Sequence, residues 1–188
     1  MDIPKHVINR GTGAGGANAN ASGLPFENKT DLLNMLTIQD SSNPYVDRVI
    51  FNAHPGTQFL KPKTKTKLHP YMESIKESNI DIGYAHGCKW PDEVYIDPVG
   101  KNVFITEKKH QNKGGSVTEK LQTCTVKREF YNDKFPNFKV IYIYTLSDWF
   151  RTNCPWELSF VKKNNIPIFW GDESDYKKQI IEFMVNYS

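Results

Sequence analysis

Cysteine is scarce: Cys88, Cys124 and Cys154 are the three in 188 residues, far apart and never spaced as C-x-x-C. An odd, scattered set excludes a disulfide framework and argues against a zinc site, so reduced thiols in a cytoplasm are expected. Long apolar runs are missing too. None approaches the roughly 20 residues of a membrane span, and the N-terminal stretch shows no apolar signal segment. The five histidines, His6, His54, His69, His86 and His110, show no H-x-x-x-H spacing, which disfavours a histidine-held metal. Charge of one sign is not in large excess. The net charge of +3 permits a nucleic-acid partner without predicting one. Internal repeats are absent. What remains is an ordinary composition with 13% aromatic residues, and a length that suits one domain with a small extension.

The most informative stretch runs from Trp90 to Gln111. It reads as two strands around a turn: Glu93 to Ile96, the turn Asp97-Pro98-Val99-Gly100, then Asn102 to Lys109. Alternation puts Val103, Ile105, Glu107 and Lys109 on one face. That face starts apolar and ends in a carboxylate and an ammonium, which is costly unless the charges bind something. Asp92 can reach the same end of the hairpin. Two carboxylates beside one lysine suit a hard divalent cation and an attacking water. The competing reading is a surface ion pair worth under about 1 kcal/mol. Asp97 rivals Asp92 by spacing, but Asp97-Pro98 reads as turn chemistry. Glu93 and Lys108 should face away from Asp92 and Lys109, so replacing Lys108 should be much milder than replacing Lys109. Gln111 continues the alternation of Glu107 and Lys109, where it could position water or touch DNA.

Around the hairpin, residues 1–23 are rich in Gly, Ala and Asn and read as an arm, with Asn18 and Asn20 as candidate DNA contacts. Gly11, Gly13 and Gly16 spell G-x-G-x-x-G, but no strand precedes them, so a dinucleotide site is rejected. A helix is expected from Pro25 to Leu36, with Glu27 in its first turn, where the dipole favours it. Asp40 to Pro44 is a loop and Arg48 to Ala53 a strand. Lys61, Lys63, Lys65 and Lys67 alternate with Pro62, Thr64 and Thr66. They read as an exposed segment protected by lysine or as a row that follows DNA phosphates. Tyr71 to Ser78 is a short helix. Ser116 to Asn132 is a helix with Val117, Leu121 and Cys124 on the sheet, leaving Lys120, Gln122, Lys127 and Arg128 as candidates for DNA contact. Phe138 to Thr145 is a strand buried on both faces. Asp148 to Lys163 is helical with a break at Pro155, Ile166 to Trp170 a strand, and Asp172 to Tyr187 a helix. The order predicts an α/β fold with a mixed central sheet flanked by helices.

Pro91-Asp92, then Glu107-Lys108-Lys109, resembles the PD-(D/E)XK nuclease motif. The wording HGCKWPDEVYI and ITEKKHQNKGGSVTEKLQT is similar to small type II restriction endonucleases, over roughly residues 13–144. The resemblance implies a restriction-endonuclease-like core spanning 1–188 as one domain, with the arm at 1–23. It implies a Mg²⁺-dependent, sequence-specific endonuclease acting on double-stranded DNA, with Mn²⁺ able to substitute. Asp92 and Glu107 would hold the metal with the Lys108 carbonyl, Lys109 would activate the water, and Glu27 would lie beside the metal. A palindromic target would favour a homodimer. The alternatives are a structure-specific repair or junction nuclease, and an inactive DNA-binding module with the same core.

Overall fold

The structure is a computed structural model that describes residues 17–75, 88, 90–114 and 117–187. The glycine motif at 11–16 lies outside them. The chain is α/β. Helix α1 (Ala17–Thr30) leads through a 3₁₀ turn to strands β1 (Leu36–Asp40), β2 (Val46–Phe51) and β3 (His54–Pro62). Helix α2 (Leu68–Ile75) precedes the hairpin β4 (Glu93–Asp97) and β5 (Asn102–Lys109). Helices α3 (Val117–Leu121) and α4 (Cys124–Lys134) lead to β6 (Lys139–Leu146). Helices α5 (Trp149–Asn153) and α6 (Pro155–Lys163), strand β7 (Ile168–Trp170) and helix α7 (Tyr176–Val185) follow. No helix among the described residues is long and apolar enough to cross a membrane.

Among the described residues the strands form one sheet of seven, in the order β1-β2-β3-β4-β5-β6-β7. Strands β1 to β5 pair antiparallel, while β5, β6 and β7 run parallel. The mixed sheet follows from the connections. Short turns join β1 to β2, β2 to β3 and β4 to β5, the longer connection from β3 to β4 carries α2, and the parallel members are separated by helical crossovers. Two apolar layers cover the sheet. Val94, Ile96, Val103, Ile105, Tyr142 and Tyr144 pack with α2, α3, α4 and α6 on one face. Tyr95, Phe104, Ile141 and Ile143 pack with Leu32 and with Tyr176, Ile180 and Met184 of α7 on the other. Strand β6, buried along seven of its eight positions, sits between the two layers, as its unbroken apolar run predicts.

Several expectations need correction. Helix α1 begins at Ala17, so residues 17–23 are helical and not part of an arm, and Pro25 lies inside the helix. The helix stops at Thr30, because the Asp31 carboxylate takes the Leu33 amide at 2.6 Å and offers the backbone a turn instead. Leu33–Met35 is a 3₁₀ turn, and Leu36, the last residue of the expected helix, opens an edge strand, Leu36–Asp40, that pairs with β2. The lysine run does not form one row. Lys61 lies in β3, the strand ends at Pro62, and Lys65–Lys67 is a 3₁₀ turn. The expected helix over 116–132 is two helices. Thr123 bends the chain by returning its hydroxyl to the Lys120 carbonyl at 2.8 Å.

Candidate active site

The hairpin register sets the geometry. Glu93 pairs with Thr106 and Val94 with Ile105. Continuing that register by one residue sets Asp92 across from Glu107, on the face of Val94 and Ile105. Cross-strand partners point to the same side. Both carboxylates press on one buried neighbour. Burial first, then the charges of Cys88, Glu107 and Asp92, hold the Tyr131 hydroxyl far above its usual range. That hydroxyl donates to the Cys88 carbonyl at 2.7 Å.

Asp92 is fixed by the backbone: its Oδ2 accepts the Lys108 amide at 2.7 Å. Extended backbone points the N–H and C=O of one residue to the same edge, so the Lys108 carbonyl also faces the Asp92 side. The other Asp92 oxygen lies 3.0 Å from Lys65 Nζ, which is also 3.3 Å from Glu27 Oε2. Lys65 thus seats a cation between two carboxylates. Its ammonium is held above the ordinary lysine value: burial opposes this, but Asp92 and Glu27 outweigh it.

Glu107 is nearly enclosed. Its Oε1 lies 2.6 Å from Lys109 Nζ and 2.9 Å from Lys127 Nζ. Burial pushes its carboxyl up, but the two ammoniums outweigh burial and leave it below the ordinary value of 4.5. The sign follows: stability from Glu107 is fully present above about pH 4.5 and is lost as pH falls through the depressed folded pKa. We expect the melting-temperature gap between the wild type and Glu107→Gln to stay level from about pH 7 to 5 and to close below about 4.5. A gap unchanged down to pH 3 would contradict the paired carboxylate.

The structure therefore brings together Asp92, Glu107, Lys109, Glu27 and Lys65. Lys108 leaves this face, as alternation requires, and forms a buried ion pair with Glu93 at 3.0 Å. Replacing it is consequently expected to act on folding, through the counter-ion of Glu93. Glu27 sits in the last turn of α1, where the dipole disfavours an acid, so the expected favourable helix-dipole role is withdrawn. Gln111 does not continue the strand, which ends at Lys109. Its amide bonds with Ser147 Oγ and its side chain donates to the Lys113 carbonyl. The His110 ring lies tilted against Phe26 of α1, with centroids 5.4 Å apart, away from Lys109.

The remaining charges spread out. Lys63 donates to the Ser41 carbonyl at 2.8 Å and lies 3.7 Å from Asp47. Arg128 caps α6 by donating to the Asn164 carbonyl at 2.8 Å. Lys61 is half-buried, while Lys67 and Lys120 are exposed. The side chains of Asn18 and Asn20 lie outside what the structure describes. Lys127 is the site residue that pattern reading misplaced among the DNA-facing charges. The signal was present: Cys124, Lys127 and Tyr131 fall at i, i+3 and i+7 on one helical stripe. A lysine between two buried residues on that stripe needs a buried acid.

Among the described residues, no group of three or more His, Cys, Asp or Glu side chains gathers to hold a metal. Asp92 and Glu107 with the Lys108 carbonyl nonetheless fit Mg²⁺. That ion takes one or two carboxylates and keeps several waters. Comparison of the chain with protein-family models, curated proteins and solved structures finds no match.

Proposed function

We propose that this protein is a Mg²⁺-dependent endonuclease that hydrolyses double-stranded DNA at a defined sequence. The reading carries over the resemblance of Pro91-Asp92 and Glu107-Lys108-Lys109 to the PD-(D/E)XK motif, and with it a restriction-type, cytoplasmic enzyme. The observation that supports it is the convergence of Asp92 and Glu107 from adjacent strands, with the Lys109 ammonium on Glu107. Asp92, Glu107 and the Lys108 carbonyl would hold Mg²⁺ or Mn²⁺, which would supply neutralisation of phosphate oxygens and a water of lowered pKa. Lys109 would orient the attacking water and stabilise the charge that develops at phosphorus. Lys127 shares the Glu107 carboxylate and adds a second positive charge. Lys61, Lys67 and Lys120 are the exposed or half-exposed lysines that can meet DNA phosphates, which position DNA without reading sequence. A palindromic target would be cut by a two-fold dimer.

Cleavage of a defined plasmid tests the proposal. Mg²⁺ or Mn²⁺ should support discrete fragments, and excess EDTA should abolish them. Full activity in EDTA would sink the two-carboxylate chemistry. A fragment pattern that follows junctions or mismatches would favour a repair nuclease, and binding without cleavage would favour an inactive module.

Glu27→Ala provides a separate check. Its partly exposed pair with Lys65 contributes no more than about 1 kcal/mol to folding. A place beside the reacting phosphate predicts a rate loss of roughly 100-fold, as for removal of one electrostatic stabiliser. Unchanged specific activity would remove Glu27 from the site.

A further inference from the structure

Lys108 holds both acids that flank Lys65. Its backbone amide donates to Asp92 Oδ2 at 2.7 Å, on the face of the site. Its side chain crosses to the opposite face and donates to the Glu27 carbonyl at 3.1 Å. One residue therefore grips the Asp92 carboxylate with its main chain and the helical turn bearing Glu27 with its ammonium.

The ammonium is deeply buried, with 2% of the Lys108 side chain exposed against 4% of Glu93. A lysine at such depth is retained only when paired. Glu93, 3.0 Å away, also accepts the Leu32 amide at 3.1 Å and the Tyr95 hydroxyl at 3.2 Å through its Oε1. The carboxylate thus fixes the chain just after α1, while the ammonium fixes the last turn of α1. Both anchor points lie on β4 and β5, the strands that lead into Asp92, Glu107 and Lys109. Helix α1 has other attachments. Phe26 and Thr30 pack so closely on Gly171 that a Cβ there would meet them at 2.6 and 2.5 Å, and Lys29 pairs with Asp172 at 2.9 Å. These hold the helix on the sheet. The Thr30 hydroxyl also reaches the Glu27 carbonyl at 3.3 Å, but that bond lies within the helix, whereas Lys108 ties the carbonyl to β5.

We propose that Lys108 is a positioning residue that sets the separation of Glu27 and Asp92 across the sheet edge, acting through the buried Lys108–Glu93 pair. The catalytic part of this inference rests on the nuclease reading, whereas the positioning part does not.

The test is the charge-balanced double variant Lys108→Met/Glu93→Gln. It removes the tie to the Glu27 carbonyl, leaves no unpaired buried charge, and keeps an oxygen that can accept from Leu32 and Tyr95. Amide exchange of Asn28 to Asp31 is read beside that of β4 and β5, with cleavage kcat and DNA Kd measured in parallel. Positioning predicts exchange of the Asn28–Asp31 amides at least 10-fold faster, with β4 and β5 unchanged. It also predicts kcat lowered at least 10-fold at unaltered Kd. Loss of protection spread evenly over the sheet would mean a general stabilising role and would overturn the inference, as would wild-type exchange at Asn28–Asp31. A wild-type protein that cuts no DNA would sink the nuclease reading, and the exchange result would still decide whether Lys108 positions Glu27. Should the double variant not fold, the charge-balanced Lys108→Leu/Glu93→Gln is read by the same amide exchange, with the same pattern expected.

Discussion

Lys109→Ala is expected to lower DNA cleavage by about 10²-fold or more while the protein keeps its fold and its affinity for DNA. Lys109 shares Glu107 Oε1 with Lys127, at 2.6 and 2.9 Å. Removing one ammonium leaves the carboxylate paired with the other, so no uncompensated buried charge is created and the sheet keeps its packing. What disappears is the positive charge beside the water and the reacting phosphate. Single-turnover cleavage with saturating enzyme measures the effect free of DNA affinity, and a binding assay in Ca²⁺ checks that affinity is retained. A variant within about 3-fold of the wild-type rate would remove Lys109 from the chemistry.

Lys108→Ala should act in the opposite way, through folding. It strips Glu93 of its counter-ion at a site where 4% of the side chain is exposed. Breaking a buried pair from one side costs about 3–5 kcal/mol. At about 2–4 °C per kcal/mol for a chain of this size, the melting temperature should fall by on the order of 10 °C. Burial already raises the Glu93 carboxyl above its ordinary value, against the pull of Lys108. Without Lys108 that carboxyl can escape its penalty by taking up a proton, so the loss should shrink as pH falls toward about 5. Thermal melts at pH 8 and pH 5 measure both effects. A drop of under about 2 °C at pH 8 would mean that the pair does not hold the sheet.

The contrast between these neighbouring lysines shows what a pattern of residues can and cannot carry. Period-two alternation set the register of β5 correctly, and so placed Glu107 and Lys109 on one face and Lys108 on the other. It could not tell that the far face, at Lys108, is closed by α1. Alternation gave the direction of Lys108 but not its partner there, the buried Glu93. Local signals also placed β4, β5, β6, the break at Pro155 and α7, because each carries strong periodicity or a fixed turn.

Three of the errors share one physical cause. Leu36–Asp40 is a strand because β2 is there to pair with it, and nothing in its apolar spacing states this. The start of α1 at Ala17 moves Glu27 from a first turn to a last turn and reverses the sign of the dipole effect. Lys65 was one of four alternating lysines until the 3₁₀ turn at Lys65–Lys67 brought it to Glu27 and Asp92. Lys127 needed the distance between α4 and β5, which spacing within a helix does not contain. For the strand at Leu36–Asp40, for Lys65 and for Lys127 the missing quantity was a contact between distant segments.

The central claim is that Asp92, Glu107 and Lys109 form a centre that cuts DNA, and the most direct measurement compares wild type with Glu107→Gln on one supercoiled plasmid in Mg²⁺. The substitution keeps size and hydrogen-bonding oxygen and removes only the negative charge. Wild type should yield discrete linear fragments. Glu107→Gln should leave the plasmid intact over the same time while still binding DNA. Equal fragment yields from the two proteins would contradict the account.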